Sequence, residues 1–323
     1  MKKVNVGLLG FGNVGSGTYA ALEMNRAHIE KALGLDIQVK KVLVRDASKK
    51  REGSLAPSQF TQNADEVTKA DDIDVVVEVL GGIEPATSLM LAAMKAGKHV
   101  VTANKAAVAA NWEKLNACAK ENNVFFRFEA SVGGGIPIIN AITTALQSNA
   151  FTEVLGIVNG TTNYILTQMG EYGLPYEEAL KSAQEKGFAE ADPTADVEGI
   201  DVANKLSILI AIMFDKYVAP TDIPTVGISK ITKADIDAAK AEGCKIKLLA
   251  TAKMEDGKLS YAVKPTKLPM EHPLAGVNNE FNAVFVCGNA VGELMFYGKG
   301  AGPLPTGSAV LGDIIDIGRN MEV

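Results

Sequence analysis

Apolar positions in the first part of the chain fall into short runs that are separated by helical patterns. Runs rich in β-branched residues predict strands at Val4–Leu9, Ile37–Val44, Ile73–Val79, His99–Thr102 and Val124–Glu129. Helical patterns lie between them, over Ser16–Met24 and Ala86–Ala96. Because nearly continuous apolar strands that alternate with helices are typical of sheets covered on both faces, the pattern predicts an α/β fold with a parallel, doubly wound sheet.

The pattern changes after Ser131, where three consecutive glycines and Pro137 interrupt it. The next segment has longer helical patterns over Ile138–Gln147, Tyr176–Lys186, Ile200–Phe214 and Lys233–Ala241. It also contains a predicted hairpin, in which Lys245–Met254 and Lys258–Val263 flank the turn signal Glu255-Asp256-Gly257. We therefore expect one domain over residues 1–135 and a second, α+β domain over 136–305. A closing helix, in the segment 306–323, is expected to return to the first domain.

Composition narrows the class of protein. The formal charge of −6 and the lack of a long basic run argue against a nucleic-acid partner. Cys118, Cys244 and Cys287 are far apart and match no metal or redox spacing, which is typical of thiols in a reducing compartment. Glycines and asparagines break the apolar run at the N-terminus, and no segment reaches membrane-spanning length. We expect a cytoplasmic protein without a membrane partner.

A glycine-rich motif joins the first predicted strand to the first predicted helix. It reads Gly10-Phe11-Gly12-Asn13-Val14-Gly15. Such glycines permit a tight turn and let backbone amides at a helix N-terminus approach a pyrophosphate. Alone the motif also fits an ordinary tight turn, but the order strand, motif, helix favours dinucleotide binding.

The end of the second strand discriminates between NAD and NADP. Arg45 stands there, where an acidic residue would bond the ribose of NAD and an arginine would accept the phosphate of NADP. Asp46 follows, and Lys49, Lys50 and Arg51 come next. This predicts a preference for NADP(H) over NAD(H), although a solvated basic loop also explains the later charges.

Two further motifs carry polar side chains at the ends of predicted strands. Thr102 and Lys105 lie in VVTANK, at the edge of the sheet where doubly wound folds bind ligands. Gly160 and Thr161 lie in NGTTNY, which fits both helix capping and the lining of a small polar pocket. A lysine at the end of a strand is commonly just exposed to solvent. A functional role for Lys105 is therefore inferred only from its place in the sheet.

The segment GFAEADPTADVEGIDVANK is strongly acidic and ends in one lysine, Lys205, followed by an almost wholly apolar run. That continuation predicts a helix that enters the interior and takes Lys205 with it. Asp201 lies four residues earlier on the same helix face. A buried lysine held by a carboxylate suits proton transfer to a substrate oxygen, whereas the segment taken alone fits an ordinary helix salt bridge better.

Together these motifs resemble the homoserine dehydrogenase family over the whole chain. The matching blocks, in the family's order, are GLLGFGNVG, VVTANK, FEASVGGGIPII, VNGTTNYIL, GFAEADPTADVEGIDVANKL and GAGPLPTGSAV. The resemblance implies a Rossmann-type nucleotide domain and a second domain for substrate binding, catalysis and dimerisation. It implies NAD(P)H-dependent reduction of L-aspartate 4-semialdehyde to L-homoserine, a step toward threonine, methionine and isoleucine, by a homodimer or homotetramer.

The resemblance also implies roles for particular residues. Lys205 would donate and accept the proton at the substrate oxygen, and Lys105 would contact cofactor and substrate. Asp201 and Glu190 would hold the amino-acid substrate, with Glu190 on its ammonium. Gly187 and Gly302 would lie against the cofactor.

A monovalent cation, typically Na⁺, is implied as well. Its ligands would be the carboxylate of Glu129 and the carbonyls of Val132, Gly134 and Ile136. Oxygen ligands on glycine-loosened backbone suit a hard cation, and a plain glycine-rich hinge would have the same sequence.

Two other functions fit parts of the sequence. One is a different amino-acid oxidoreductase on the same plan, such as an aspartate dehydrogenase, against which Glu190, Asp201, Lys205 and NGTTN argue. The other is a catalytically silent NADP-binding sensor, which would not need both lysines at their motif positions. Many members of the family carry a C-terminal threonine-binding domain, and we expect this chain to represent the short form.

Overall fold

The computed structural model describes residues 1–49 and 55–321. Lys50 and Arg51 of the predicted basic loop, and the last two residues of the predicted C-terminal segment, lie outside the described residues. The chain forms two compact units. The first comprises Met1–Gly135 and Ala301–Val323, and the second comprises Ile136–Gly300.

The strands are β1 Lys2–Leu9, β2 Leu35–Leu43, β3 Phe60–Thr61, β4 Val75–Glu78, β5 His99–Thr102, β6 Phe126–Arg127, β7 Phe151–Ile157, β8 Cys244–Glu255, β9 Lys258–Pro269, β10 Phe281–Gly288 and β11 Gly292–Lys299. The helices are α1 Asn13–His28, α2 Asp65–Thr68, α3 Ala86–Lys95, α4 Lys105–Ala110, α5 Trp112–Glu121, α6 Ile138–Asn140, α7 Gly160–Tyr172, α8 Tyr176–Glu185, α9 Thr194–Val197, α10 Ile200–Phe214, α11 Lys233–Ala241 and α12 Pro303–Asn320. None of the helices in the described part of the chain is long and apolar enough to cross a membrane.

The first unit is built on a six-stranded sheet in the order β3-β2-β1-β4-β5-β6. All its strand pairs are parallel, which confirms the predicted α/β doubly wound fold. The strand order reverses between β1 and β4, so ligands are expected at the carboxyl ends of these two strands. α12 contributes Val310, Leu311 and Ile314 to the core under β1.

The second unit is built on a five-stranded antiparallel sheet in the order β11-β10-β7-β8-β9. β8 and β9 form the predicted hairpin, whose turn is Asp256-Gly257. α7, α10 and α11 all pack against β8. The α+β character expected for this part of the chain is confirmed.

Several element boundaries differ from the sequence prediction. α1 begins at Asn13, three residues earlier than predicted, because Gly15 and Gly17 weaken the helical signal of its first turns. The helix predicted over Ile138–Gln147 is present but ends two residues earlier, and its second part is π-helical: α6 covers Ile138–Asn140 and a π-helical turn continues it over Ala141–Ala145. β6 is shorter than predicted, because Glu129 lies in a 3₁₀ turn.

Candidate functional site

The glycine motif forms the turn between β1 and α1 in the first unit. Gly10 has a φ of 107°, and a Cβ there would lie 3.0 Å from the carbonyl oxygen of Val79. A Cβ on Gly15 would lie 2.5 Å from the carbonyl oxygen of Gly10. The first glycine therefore allows the turn, and the last lets the helix pack closely on the strand.

Gly12 differs from these two glycines. It is exposed, and a Cβ there would meet nothing within 4 Å. Gly12 is the N-cap of α1, so the exposed Asn13 and the half-buried Val14 belong to the first helical turn, whose amides point outward. Open space at a helix N-terminus is where the backbone of this motif meets a pyrophosphate. Phe11 packs edge-on against Phe60, with ring centroids 5.7 Å apart, and supports the turn.

Arg45 lies just beyond the end of β2 and is exposed. Its carbonyl accepts a hydrogen bond from the Gln62 amide. Within residues 1–49 and 55–321, its guanidinium makes no hydrogen bond or ion pair. The Asp46 carboxylate instead accepts from the amide and hydroxyl of Ser48. Arg45 thus presents its guanidinium to solvent, next to the Asp46 carboxylate, at the strand end that discriminates between the two cofactors in this fold.

A buried carboxylate that the sequence did not reveal organises the carboxyl ends of β4 and β5. Glu78 is fully buried and accepts from the Thr102 hydroxyl at 2.7 Å and from the Leu80 amide at 2.7 Å. Burial raises the pKa of the Glu78 carboxyl, and its hydrogen bonds from Thr102, Leu80 and Asn104 oppose the increase. The Thr102 hydroxyl therefore holds together the backbone segments that follow β4 and β5.

The same network places Lys105 at the start of α4. The Asn104 side chain caps this helix by accepting from the Ala107 amide at 3.1 Å, and it donates to the Gly82 carbonyl at 2.6 Å. Lys105 is half-buried at the first position of the helix, next to the carboxyl end of β5. Its location at this edge agrees with the sequence prediction.

Glu129 is buried in the 3₁₀ turn that follows β6. Its backbone amide donates to Oδ2 of Asp313, a buried residue of α12 that the sequence did not single out. Burial raises the pKa of Asp313 to about 8, and the charge of Glu129 contributes to the increase. Gly133 and Gly134 have φ values of 74° and 56°, which turn the backbone in the left-handed region.

In the second unit, α10 carries Lys205 into the interior, as predicted. Lys205 is 8% exposed and Asp201 is 5% exposed. The Lys205 ammonium donates to Oδ2 of Asp201 at 2.7 Å and to the carbonyl of Val158 at 2.6 Å. The pair is therefore held at the junction that follows β7, rather than on the surface as an ordinary helix salt bridge would be.

Asn159 connects this pair to a second carboxylate. Its amide donates to Oδ2 of Asp201 at 2.9 Å and to Oδ1 of Asp196 at 2.7 Å, while its carbonyl oxygen caps α7 at the Thr162 amide. Burial raises the pKa of Asp196, the bond from Asn159 opposes this, and the charge of Asp201 adds to the increase. Both interpretations of the NGTTN motif, a helix cap and a polar cluster, therefore apply.

The remaining predicted substrate and cofactor residues lie on loops. Gly160 approaches the Glu280 carbonyl so closely that a Cβ would lie 2.7 Å from it, and the Thr161 hydroxyl donates to the Phe188 carbonyl at 2.6 Å. Glu190 is exposed, and its carboxylate makes no hydrogen bond or ion pair in the part of the chain that the structure describes. Gly187 ends the turn after α8 with a φ of 75°, and Gly302 caps α12 in the first unit with a φ of 121°.

Comparison with known proteins identifies the family. A model described as the NAD-binding domain of homoserine dehydrogenase matches residues 10–129, and the homoserine dehydrogenase model matches residues 137–315. The homoserine dehydrogenase of Bacillus subtilis is 47% identical over 323 residues, a match that covers 100% of this chain and 75% of that protein. The chain belongs to the homoserine dehydrogenase family.

Solved structures agree with this assignment. A homoserine dehydrogenase from Thiobacillus denitrificans is 42% identical with a TM-score of 0.93, over 99% of this chain and 74% of that one. A hyperthermophilic archaeal homoserine dehydrogenase, solved in complex with NADPH, is 27% identical with a TM-score of 0.82, over 99% of each chain. The protein is therefore an NAD(P)-dependent oxidoreductase, as the sequence predicted.

Within this homoserine dehydrogenase family member, the predicted residues fall into two groups. The first unit holds the glycine motif, Arg45, Thr102, Lys105, Glu129 and Gly302, and the second holds Lys205, Asp201, Gly160, Thr161, Gly187 and Glu190. The sequence analysis missed Glu78 and Asp313. It named the motif that contains Asn159, but it did not predict that Asn159 binds Asp201. Glu78 had one signal, a lone carboxylate at the end of a valine-rich strand.

Proposed function

We propose that the protein interconverts L-aspartate 4-semialdehyde and L-homoserine with NADP(H), in the biosynthesis of threonine, methionine and isoleucine. The observation that carries this proposal is the buried Lys205–Asp201 pair. Burial of a lysine is costly unless a partner holds its charge, and here Asp201 and the Val158 carbonyl do so. A positioned ammonium at a polar cluster is suited to proton transfer.

Lys205 acts at the oxygen bonded to the carbon that is reduced or oxidised. When bound, the reduced nicotinamide supplies a hydride to the aldehyde carbon. As negative charge develops on the aldehyde oxygen, the Lys205 ammonium donates a proton to it and becomes a neutral amine. In the oxidation of homoserine the neutral amine of Lys205 takes the hydroxyl proton back.

Four residues of the second unit hold the substrate in this proposal. Glu190 binds the ammonium of the amino acid, which its exposed carboxylate can reach without breaking another contact. Asp201, Gly160 and Thr161 line the polar cluster around Lys205. The close approach of Gly160 to the Glu280 carbonyl leaves no room there for a larger residue.

The cofactor preference rests on Arg45 and the glycine motif. The open space at Gly12 fits the pyrophosphate of a dinucleotide, and residues 10–15 supply backbone amides to it. The exposed guanidinium of Arg45 suits the additional phosphate of NADP. The remaining proposed cofactor contacts come from Lys105, Gly187, Gly302 and Thr102. Thr102 contributes indirectly, because its hydroxyl holds the backbone that follows β5. A structural relative bound to NADPH supports this preference.

A monovalent cation is part of the proposal. The donor set fits a hard cation, because it combines the buried carboxylate of Glu129 with two backbone carbonyls, that of the extended Val132 and that of Gly134 in the left-handed region. Ile136, which would supply the fourth oxygen, accepts the amide of Ile138 through one lone pair of its carbonyl. No group of three or more His, Cys, Asp or Glu suited to a metal occurs among residues 1–49 and 55–321, so carbonyls would have to supply most ligands.

The cation is tested by replacing Na⁺ with choline in the assay. Activity of the wild type should fall, whereas the already lower activity of Glu129→Gln should not change.

We also propose that the protein is a homodimer or homotetramer. Met295 and Tyr297 of β11 are exposed on the sheet of the second unit, where Tyr297 stacks on Phe281 with centroids 5.2 Å apart. An exposed apolar row on a sheet favours association. Light scattering after gel filtration gives the mass that decides between monomer and oligomer.

The decisive experiment follows nicotinamide absorbance in both directions, with aspartate semialdehyde plus NADPH and with homoserine plus NADP. We expect turnover in the wild type and a fall in kcat of ~10²–10⁴-fold in Lys205→Met, with NADPH affinity retained. The exposed Lys216→Met, just beyond α10, is the matched control and should keep full activity. NADPH binding without turnover in the wild type would refute the proposed reaction, and equal loss of binding and turnover in Lys205→Met would refute its role.

A further inference from the structure

The second unit contains another buried lysine, which the proposed reaction does not use. Lys247 on β8 is 2% exposed. Its ammonium donates to Oδ1 of Asn163 at 2.9 Å and to the Val277 carbonyl. The third contact, to Oδ1 of Asn278, is 3.4 Å long and therefore weak. One N–H of Lys247 is thus poorly satisfied by the protein.

Within residues 1–49 and 55–321, Lys247 has no counter-ion. In the described residues all of its hydrogen-bond acceptors are neutral, and no carboxylate forms an ion pair with it. Glu171, the nearby acidic residue, is paired with Lys245 at 2.6 Å. Burial lowers the pKa of Lys247 to about 7, with a contribution from Lys245, and Glu171 opposes the change. Because lysines are rarely buried unless they are paired, an anion from outside the chain would complete this site.

Lys247 lines a cavity of about 250 Å³ within the second unit. α7, α11 and β8 form the walls, and their apolar contribution includes Leu166, Ile236 and Ile246. Along α7 the cavity lies beside Leu166–Glu171, whereas Asn159 precedes the start of the helix at Gly160. The Lys247 ammonium is nearer to that start, since its partner Asn163 lies one helical turn after Asn159. With a rise of ~1.5 Å per residue, the near wall of the cavity at Leu166 is ~9 Å along the helix from that start.

The chemistry of this cavity defines its ligand. Lys247 is the buried cation of a lining that contains Leu166, Ile236 and Ile246 beside polar side chains, and the volume admits a small organic molecule. We propose that the cavity is a second binding site, which takes a small aliphatic monocarboxylate with its carboxylate on the Lys247 ammonium and its alkyl chain against Ile236 and Ile246. None of the residues assigned to the proposed reaction lines this cavity.

Binding in this mode is coupled to protonation. The carboxylate binds the charged form of Lys247, so affinity falls as pH rises above about 7. Other titratable groups that face the cavity are Glu171 on α7, Lys240 on α11, and Cys244 and Lys245 on β8. Glu171 and Lys245 form an ion pair, so their charges largely cancel.

The test uses butyrate as the probe, with butyramide as its neutral analogue and inorganic phosphate as an anion without an alkyl chain. Binding is followed by NMR of the Ile δ1 methyl groups in the full-length protein, with Ile236 and Ile246 as reporters of this cavity. We expect butyrate to shift both signals, with millimolar affinity, and butyramide and phosphate to leave them unchanged. We also expect weaker butyrate binding at about pH 9 than at about pH 6.

Three variants complete the test. Lys247→Met should weaken butyrate binding about tenfold or more, since it removes a charge-assisted hydrogen bond. Gly170→Met places a side chain in the cavity while Lys247 itself is kept, and the position has room, because a Cβ at Gly170 meets only the Ile236 side chain, at 4.0 Å. It should abolish binding even if Lys247→Met does not fold. Lys253→Met, on the exposed part of β8, is the control. Unshifted Ile236 and Ile246 signals, equal binding of butyramide, or unchanged binding in Gly170→Met would overturn the proposal.

Discussion

Nζ of Lys205 lies 2.7 Å from Oδ2 of Asp201, one helical turn earlier on α10. The same carboxylate oxygen accepts the Asn159 amide at 2.9 Å. Two residues on different elements thus converge on one oxygen, and the lysine is held in a single orientation. A proton donor must be positioned in this way before it can act on a substrate.

Asp201→Asn should reduce kcat about 10²-fold while NADPH affinity stays within about twofold. The substitution keeps the size of the side chain but removes the charge that fixes the Lys205 ammonium. Steady-state kinetics and NADPH fluorescence titration measure the two effects. Asp192→Asn is the control, because Asp192 is exposed and only caps Thr194. Unchanged kcat in Asp201→Asn would contradict the positioning role.

Gly12→Ala and Gly15→Ala should separate cofactor binding from folding. The Cβ that Gly12→Ala adds would enter open space, so the free energy of unfolding should stay unchanged while NADPH affinity falls about tenfold or more. The Cβ that Gly15→Ala adds would lie 2.5 Å from the Gly10 carbonyl oxygen, which should destabilise the protein by about 1–3 kcal/mol. Urea unfolding and NADPH titration of both variants test this. If Gly12→Ala instead lost stability and kept its NADPH affinity, Gly12 would not face the dinucleotide.

Arg45→Ala should weaken NADPH binding about tenfold and leave NADH binding nearly unchanged. The reason is that only NADPH carries the phosphate that the guanidinium would bind. Dissociation constants for both cofactors, measured on the same preparations, give the result, and NADH acts as the internal control. A parallel loss for both cofactors would mean that Arg45 supports the loop rather than the phosphate.

Thr102→Val should lower the free energy of unfolding by about 1–3 kcal/mol. The variant keeps the shape of the side chain but leaves Oε2 of the buried Glu78 and the Asn104 amide without the hydroxyl that they contact. Urea unfolding measures the change. The exposed Thr152→Val on β7 is the control and should cost little. Equal stability of the two variants would show that water replaces the hydroxyl at Glu78.

Lys247 should make the stability of the protein depend on pH. Its pKa of about 7 in the folded protein is below the ~10.4 of an unfolded chain, so between these values the unfolded chain binds more protons. Stability from this residue therefore rises with pH across that window, by an amount on the order of 5 kcal/mol. Urea unfolding of the wild type and Lys247→Met should give curves that diverge with pH, whereas Lys253→Met should run parallel to the wild type. Parallel curves for Lys247→Met would be inconsistent with a lowered pKa.

The amino-acid sequence by itself determined the parts that depend on local spacing. The β1–motif–α1 order, the bounds of α10 and α11, and the Asp201–Lys205 pairing all follow from signals within a few residues. Each reflects a local physical rule: glycines at a tight turn, apolar periodicity along a helix, and contact between positions four apart. The family resemblance used the same local blocks and was confirmed by the comparisons.

Tertiary structure decided which distant residues meet. Glu78 reaches Thr102 across 24 residues of chain, Asn159 reaches Asp201 across 42, and Lys247 reaches Asn163 across 84. Alternation along β8 puts Lys245 and Lys247 on the same face, yet only Lys247 is buried, because α7 and the segment after β9 cover it. Periodicity specifies the face of an element, but the neighbour that packs on that face is set by the folding of the rest of the chain.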